Sequence, residues 1–502
     1  MSEEVLKKVY EIFSKNGAEV YLVGGSVRDL LLKREINDYD FATPLPPEKV
    51  IEIFRKEGIT TYPIGIEFGT VGVVIGEKEV QITTFRRKEK YPPSSRKPEV
   101  EFGGTIEEDL ARRDFTINSM AITPQGELID PFNGKEDLRR GILRTPLSPD
   151  ISFTDDPLRM LRCFRFQSQL GFTIEENTYG AIRKHAFRIM FLSPERIQME
   201  MDKLLLGDYV EKALKGLMET RLISFFLHEL VPLENLHQSI ELHHKDVWNH
   251  TISVVKNTPK VLLYRWTALL HDIAKPYVRS VENGKIHFYR HEELGARISF
   301  YILSRLKYPK DFIKKVCFLV SKHMRPALYN SSWTDSAVRR FIREMGENLE
   351  PLLVLAKADI TSYRPERVKE RLSLLKELEE RVEALKSVRE IKCPVDGWEI
   401  MNKYNIKPGP LVGKIKNLIL EAVISGELPE KCEDKEIYFE YVEKKLNLKE
   451  ELLKEKKDEG SGNREWGAHP DRELRGIAEG CTGGSAGSAG DQGGPEEGRV
   501  QA

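Results

Sequence analysis

The sequence predicts an α+β domain followed by a long all-α body, and three observations predict it. First, short β-branched or alternating runs at 18–23, 39–43, 69–76 and 78–85 are interleaved with helical patterns, which marks residues 1–143 as a mixed head. Second, from about Asp155 to about Leu446 the apolar spacing is helical with little interruption. A single β-like run, 284–291, breaks it. Third, the end carries no core-forming pattern: 446–459 is a charged helical stretch without an apolar face, and 460–502 is rich in Gly, Ser, Ala and Glu. The expected divisions are a head (1–143), a helical neck (144–225), a helical body (226–368), a C-terminal helical region (369–448) and a disordered tail (449–502).

Charge is high but balanced, 78 Lys and Arg against 79 Asp and Glu, for a net charge of -1. That excludes a protein that coats nucleic acid indiscriminately, though not a local basic groove. Five cysteines, Cys163, Cys317, Cys393, Cys432 and Cys481, are scattered without a C-x-x-C pair, so neither a zinc cage nor a disulfide framework is expected. The first helix is charged and amphipathic, unlike a signal peptide, and no apolar run reaches the ~20 residues of a membrane span. A soluble, cytoplasmic protein with no membrane partner is expected.

The first candidate site joins a glycine turn to an acidic pair. The run 18–23 ends in Gly24-Gly25-Ser26, and a helix begins at once with Arg28 in its first turn. Two glycines let the backbone approach an anion, the helix start offers free N–H groups, Ser26 adds a hydroxyl and Arg28 a cation. About a dozen residues later comes Asp38-Tyr39-Asp40. In a strand, i and i+2 share a face, so the two carboxylates lie side by side, an arrangement that suits Mg²⁺. Together the two features point to metal-assisted phosphoryl transfer, with Asp38 and Asp40 as catalytic ligands.

The stretch 21–43 resembles the first motif of class II tRNA nucleotidyltransferases and bacterial poly(A) polymerases, a branch of the polymerase-β superfamily. Four further motifs follow in order. Residues 112–120, with Arg113 and Asn118, are similar to the motif that positions the nucleotide sugar. Asp130–Gly134 with Asp137-Leu138 resembles the head–neck hinge, 155–162 the fourth motif, and 192–196 a fifth, supporting one. The resemblance implies a polymerase-β-like head followed by an all-α neck, body and tail. It also implies that Asp156 and Arg159 select the base, with Arg162 binding nucleotide beside them. On a helix these two share a face, and an ion pair between them would present an acceptor and a donor fork to a base edge. The same spacing also suits an ordinary helix salt bridge. Two departures stand out: Gln81 replaces a Glu common in relatives, and the loop 88–102 carries Pro-Pro-Ser-Ser where an Asp-containing turn is usual.

The second candidate site is a histidine–aspartate set: His250, His271, Asp272, His291, His323 and Asp359. A charged pair on the apolar helix 266–276 is costly unless it is paired or bound to metal. Imidazole with carboxylate suits Ni, Mn, Co, Fe or Zn. The order resembles HD-domain phosphohydrolases, which implies an HD body with phosphatase or 2′,3′-cyclic phosphodiesterase activity. Lys275 and Arg290 are expected to hold a phosphate beside the metal. A purely structural helical domain is the alternative. Near the C-terminus, Pro408-Gly409-Pro410 precedes a helix bearing Lys414 and Lys416, a pattern that can grip RNA phosphates or simply form a packing corner.

The expected function is template-independent addition of C, C and A to the 3′ end of tRNA from CTP and ATP, with Mg²⁺ in the head. An A-only tRNA nucleotidyltransferase or a poly(A) polymerase is the alternative within the fold. An HD phosphohydrolase with a nucleotide-binding head is the alternative from another class.

Overall fold

The computed structural model describes residues 2–36, 38–90, 99–236, 246–361, 365–385 and 392–447. The expected tail, 449–502, lies outside the described residues, as do 91–98 of the loop expected at 88–102.

The head opens with helix α1 (Ser2–Lys15), whose Val5, Val9, Ile12 and Phe13 fall on one face and are buried. Strand β1 (Tyr21–Val23) runs into helix α2 (Gly25–Leu31), and β2 (Tyr39–Thr43) into α3 (Pro47–Lys56). Strands β3 (Thr61–Gly65), β4 (Thr70–Ile75) and β5 (Lys78–Thr84) form a meander. The sheet is completed by β8 (Ala121–Ile122) and β9 (Leu128–Ile129), in the order β3-β4-β5-β2-β1-β8-β9. All its pairings are antiparallel except β2 with β5, where Asp40 lies opposite Gln81.

Strands β6 (Arg86–Lys90) and β7 (Glu99–Phe102) pair as a separate hairpin, so the flanks of the expected loop are strands. Strand β6 is charged throughout and shows no apolar alternation, while the short β7 alternates only Val100 and Phe102, so the loop implied by the resemblance carries little strand signal of its own. Helix α4 (Ile106–Ala111) follows, held at its start by a Thr105–Glu108 capping box.

Helix α5 (Gly134–Arg140) begins within the hinge motif and carries its Asp137 and Leu138. A Cβ on Gly134 would lie 2.2 Å from the Thr116 carbonyl oxygen, so only glycine allows this approach. Asp137 accepts from Thr116 Oγ1 (2.7 Å) and from Arg144 (2.8 Å), tying the hinge to the second motif.

The neck pairs β10 (Ile142–Leu143) with β11 (Thr173–Ile174) and contains α6 (Pro149–Asp155), α7 (Leu158–Leu170), α8 (Glu176–His185), α9 (Pro194–Leu205) and α10 (Val210–Glu219). The body adds α11 (Val247–Asn257), α12 (Leu262–Leu270), a hairpin of β12 (Arg279–Glu282) and β13 (Lys285–Phe288), α13 (His291–Arg305), α14 (Lys310–Lys322), α15 (Asp335–Met345), α16 (Leu349–Asp359) and α17 (Pro365–Leu385). One apolar core runs from Val5 to Ala358 through head, neck and body.

The chain divides into Met1–Glu390 and Ile391–Ala502. The boundary expected at 368/369 falls inside α17, whose Leu375, Leu378 and Val382 join the core of α15 and α16. The second unit has its own core, including Ile400, Ile415, Ile419 and Tyr438, built by α18 (Gly397–Tyr404), α19 (Pro410–Ser425) and α20 (Glu436–Lys445).

Candidate active site and metal cluster

Gly24 stands at the end of β1 with φ 70°, a conformation suited to glycine. A Cβ there would meet Arg113 Nη1 at 2.8 Å, so the turn leaves room for a guanidinium beside the acidic pair. Ser26 has a different role from the one expected. Its buried hydroxyl donates to the Asp38 carbonyl (2.7 Å) and accepts from the Asp40 N–H (2.9 Å), clamping the acidic segment instead of facing an anion. Asp40 lies within β2, while Asp38 lies in the bend just before it and is exposed, so their proximity comes from this clamp as well as from strand alternation. Burial pushes the Asp40 carboxyl up to about 6; Arg113 opposes the shift and Asp38 adds to it. Two hard oxygen donors close enough for one to oppose ionisation of Asp40, beside a turn without side chains, fit a divalent cation.

Behind this pair, Arg28 donates to Asp29 and, through Nη1, to Asn118 Oδ1 (2.9 Å). Asn118 donates to Asp114 Oδ1 (2.9 Å), and Asp114 Oδ2 takes Arg162 through Nε (2.9 Å) and Nη2 (2.5 Å). Burial opposes charge on Asp114, but Arg162 and Asn118 hold its carboxyl well below the usual range. Glu200 of α9 then pairs with Arg165 at 2.7 Å and lies 3.7 Å from Arg162. Phe166 sits beneath the guanidiniums of Arg165 (3.8 Å), Arg28 (5.3 Å) and Arg162 (5.7 Å). Arg28 of the head and the arginines of α7 are thus one network.

Asp156 and Arg159 do not use each other in the way the helix spacing suggested. Asp156 precedes α7, caps it by accepting from the Leu158 N–H (3.1 Å), and takes Arg196 of α9 on both oxygens (3.2 and 3.0 Å). Arg159 donates to Ser152 Oγ (2.9 Å) and to the Arg112 carbonyl. A helix pair at i,i+3 contributes only about 0.2–0.5 kcal/mol, whereas hydrogen bonds to charged groups contribute about 1.5–3 kcal/mol, so the longer-range partners win. Arg112, Arg113, Ser152, Asp155 and Arg159 line a cavity of about 370 Å³.

Three family models match the chain: the poly A polymerase head domain over 20–144, the RNA and SrmB binding site of polymerase A over 171–233, and the tRNA nucleotidyltransferase domain 2 over 298–437. A CCA-adding enzyme of Bacillus mycoides is 32% identical over 430 residues, 85% of this chain and 95% of that protein. The chain belongs to the CCA-adding enzyme family. A relative from Anoxybacillus flavithermus, also called a CCA-adding enzyme, is 43% identical over 217 residues, 43% of this chain and 54% of that protein. The crystal structure of the Bacillus stearothermophilus CCA-adding enzyme in complex with CTP is similar with a TM-score of 0.63 and 28% identity, covering 90% of this chain and 98% of that one. As a member of the CCA-adding family the chain is a tRNA nucleotidyltransferase, a family that depends on a divalent metal.

Outside the head, this CCA-adding family member gathers all six expected His and Asp residues in its body. His250 comes from α11, His271 and Asp272 from the end of α12, His291 from the first turn of α13, His323 from the end of α14 and Asp359 from the end of α16. His271, His291 and His323 each place Nδ1 2.8 Å from a carbonyl three residues back (Ala268, Phe288, Val320). A carbonyl only accepts, so Nδ1 carries a proton in each, and Nε2 is the nitrogen that faces inward. His250 Nδ1 has Thr361 Oγ1 at 2.7 Å.

The inward atoms form two groups that share Asp272: His250 and His271 on the side of Oδ2, His291 and His323 on the side of Oδ1. Asp359 Oδ1 is 2.9 Å from His250 Nε2. Within the groups, His250 and His271 are 3.3 Å apart at Nε2, and His291 and His323 3.2 Å. Lone pairs at such distances repel unless a proton or cation lies between them. Lys275 reaches Asp272 at 2.6 Å, but Arg290, expected beside it, is largely exposed and pairs with Glu293 (2.5 Å). Arg290 adopts the left-handed N-cap conformation of α13, which sends its side chain along the helix surface.

In the second unit, Lys414 and Lys416 are exposed on the first turns of α19, behind Pro410 and the extended Gly409. Among the described residues, Cys163, Cys317 and Cys432 are free thiols, the Cys393 thiol donates to the Lys416 carbonyl (3.6 Å), and no helix is long and apolar enough to cross a membrane. Asp109 and Glu200 were missed from the sequence, while Asp114 and Arg196 stood within the second and fifth motifs without a role of their own. Asp109 was the most findable, since it precedes Arg112 and Arg113 by three and four residues.

Proposed function

We propose that this chain completes the 3′ end of tRNA by adding C, C and A from CTP and ATP, with Asp38 and Asp40 as the ligands of Mg²⁺. The observation that carries the reading is the Ser26 clamp, which holds both aspartates at the mouth of a turn that admits Arg113 on its other side. In this reading Arg28 and Arg113 grip the triphosphate, and Asn118, held between Arg28 and Asp114, meets the ribose. Asp156 and Arg159 present an acceptor and a donor fork to the base, each fixed by its own partner, with Arg162 behind them. The RNA 3′-oxygen attacks the α-phosphorus and pyrophosphate leaves. Bound Mg²⁺ would favour the deprotonated 3′-oxygen and neutralise charge on the phosphates. Lys414 and Lys416 would hold tRNA backbone phosphates. A cytoplasmic setting follows, since tRNA and both nucleotides are met there.

The experiment is incorporation of labelled CTP and ATP into tRNAs lacking one, two or three terminal nucleotides. C uptake separates this reading from an A-only or poly(A) polymerase. Asp38→Ala should abolish incorporation, and measurable extension by that variant would remove the acidic pair from the reaction.

A second reading is favoured by the His/Asp cluster: His250, His271, Asp272, His291, His323 and Asp359 would hold Mn, Fe, Co, Ni or Zn, and the body would be an HD phosphohydrolase. The carbonyl-bonded Nδ1 atoms support it, because a core histidine without a ligand has no need to turn every Nε2 to one point. Such metal would activate water toward a phosphate ester, and Lys275 would offer the phosphate a cation. Metal-dependent release of phosphate from p-nitrophenyl phosphate, or opening of a 2′,3′-cyclic nucleotide, tests it.

A further inference from the structure

Asp109 lies on α4, outside every residue so far given a role, yet it is 1% exposed and its two oxygens are divided between two arginines. Oδ1 accepts from Arg112 through Nε (3.1 Å) and Nη2 (2.6 Å). Oδ2 accepts from Arg113 through Nε (3.2 Å) and Nη2 (2.9 Å). Each guanidinium is therefore gripped by one edge, and Arg113 keeps Nη1 for the space above Gly24, beside Asp40. On the other side, the carbonyl of Arg112 accepts from Arg159, the base-selecting arginine. Oδ1 also accepts from the Arg86 N–H (3.2 Å), at the first residue of hairpin β6–β7. Burial opposes the charge on Asp109, but Arg112 and Arg113 hold its carboxyl down at about 2, so it stays ionised across the working range of pH.

We propose that Asp109 is a positioning residue for nucleotide selection, which locks the phosphate arginine, the base-reading arginine and the start of the hairpin into one unit. The inference rests on the reading of the head as a nucleotidyl-transfer site. Removing the carboxylate frees Arg113 to swing from the acidic pair and lets the Arg112 carbonyl drift from Arg159. Phosphate grip and base choice then loosen together. A purely structural aspartate would lower stability without changing which nucleotide is chosen.

The test uses the full chain carrying Asp109→Asn, with Asp109→Glu as a second variant that keeps the charge but lengthens the reach. Single-turnover addition of CTP and ATP is measured on tRNAs lacking each terminal nucleotide, together with thermal midpoints. Asp109→Asn should raise the KM for nucleotide, lower kcat/KM on the order of tenfold or more, and narrow the ratio of correct to incorrect nucleotide. In an Arg113→Ala background the same change should cost less than about threefold, because partners in one network are not additive.

Wild-type KM and selectivity in a folded Asp109→Asn chain overturn the proposal, as does an equal loss in the Arg113→Ala background. Where Asp109→Asn does not fold, a folded Asp109→Glu with wild-type constants overturns it as well. A wild-type chain that incorporates neither nucleotide defeats the reading of the head itself, which is a different outcome.

Discussion

Arg196 donates to both carboxylate oxygens of Asp156, from a helix that starts 38 residues after it. The acceptor expected to read the base is thus held by the fifth motif, while Arg159 is held by Ser152 and the second motif. Arg196→Ala should free the Asp156 side chain to turn toward Arg159 or into solvent. A lost charge-assisted pair contributes about 1.5–3 kcal/mol, and this one is partly exposed, so a loss near tenfold in kcat/KM is expected for both CTP and ATP. Nucleotide competition in single-turnover incorporation checks it, and Arg196→Lys should recover part of the loss, since both bonds come from the one Nη2 atom and an ammonium restores the charge with a different reach.

Asp40 gives the head a pH dependence. Its carboxyl is pushed up to about 6, chiefly by burial, so below that pH the protonated form predominates, and a proton and a cation compete for one oxygen. The apparent Mg²⁺ requirement should be flat from about pH 7 to 8. It should climb toward tenfold per pH unit as pH falls through about 6. Mg²⁺ titrations of CTP incorporation at several pH values measure this. A midpoint indifferent to pH between 5 and 7 would remove Asp40 from the metal site.

Much of this was legible in the sequence, for a physical reason. The glycine turn, the acidic pair and the strands around them are local patterns, and β1, β2, β4 and β5 stand where alternation placed them. The six metal-type residues were visible because their chemistry is rare on apolar helices. What stayed hidden was partner choice. Nothing local says that Ser26 clamps a backbone twelve residues away, that Asp156 prefers Arg196 to Arg159, or that Glu200 closes the network of Arg162 and Arg165. Those pairings are decided by helix packing. The β6–β7 hairpin was hidden for another reason: β6 carries no apolar residue, and β7 has only Val100 and Phe102 to alternate.

Gln81 lies opposite Asp40 in the parallel pairing of β2 and β5, so neighbouring side chains on the two strands share a face there. A third carboxylate at this position would strengthen binding of a dication. Gln81→Glu should therefore lower the Mg²⁺ concentration needed for half-maximal incorporation by several-fold. It should also raise the Asp40 carboxyl further, since like charges oppose ionisation, and so steepen the loss of activity in acid. Paired Mg²⁺ titrations of the two proteins at pH 8 and pH 6 check both effects.

The His/Asp cluster makes a prediction of stoichiometry. Two ligand groups meet at Asp272, one on each oxygen, so under the proposed reading the cluster would have donors for up to two ions. His323→Ala touches one group only and should leave about one ion per chain; Asp272→Asn should leave none. Acid should empty the cluster, because Asp272 and Asp359 raise the affinity of His271 for a proton despite its burial, and that proton competes with metal. Metal analysis after dialysis at pH 8 and pH 5 measures both effects, and wild-type chain with negligible metal at pH 8 after loading would overturn the assignment. Incorporation of CTP and ATP should be unchanged in His323→Ala, since the ligands proposed for the head, Asp38 and Asp40, stand on β2 and the bend before it and share no residue with the cluster.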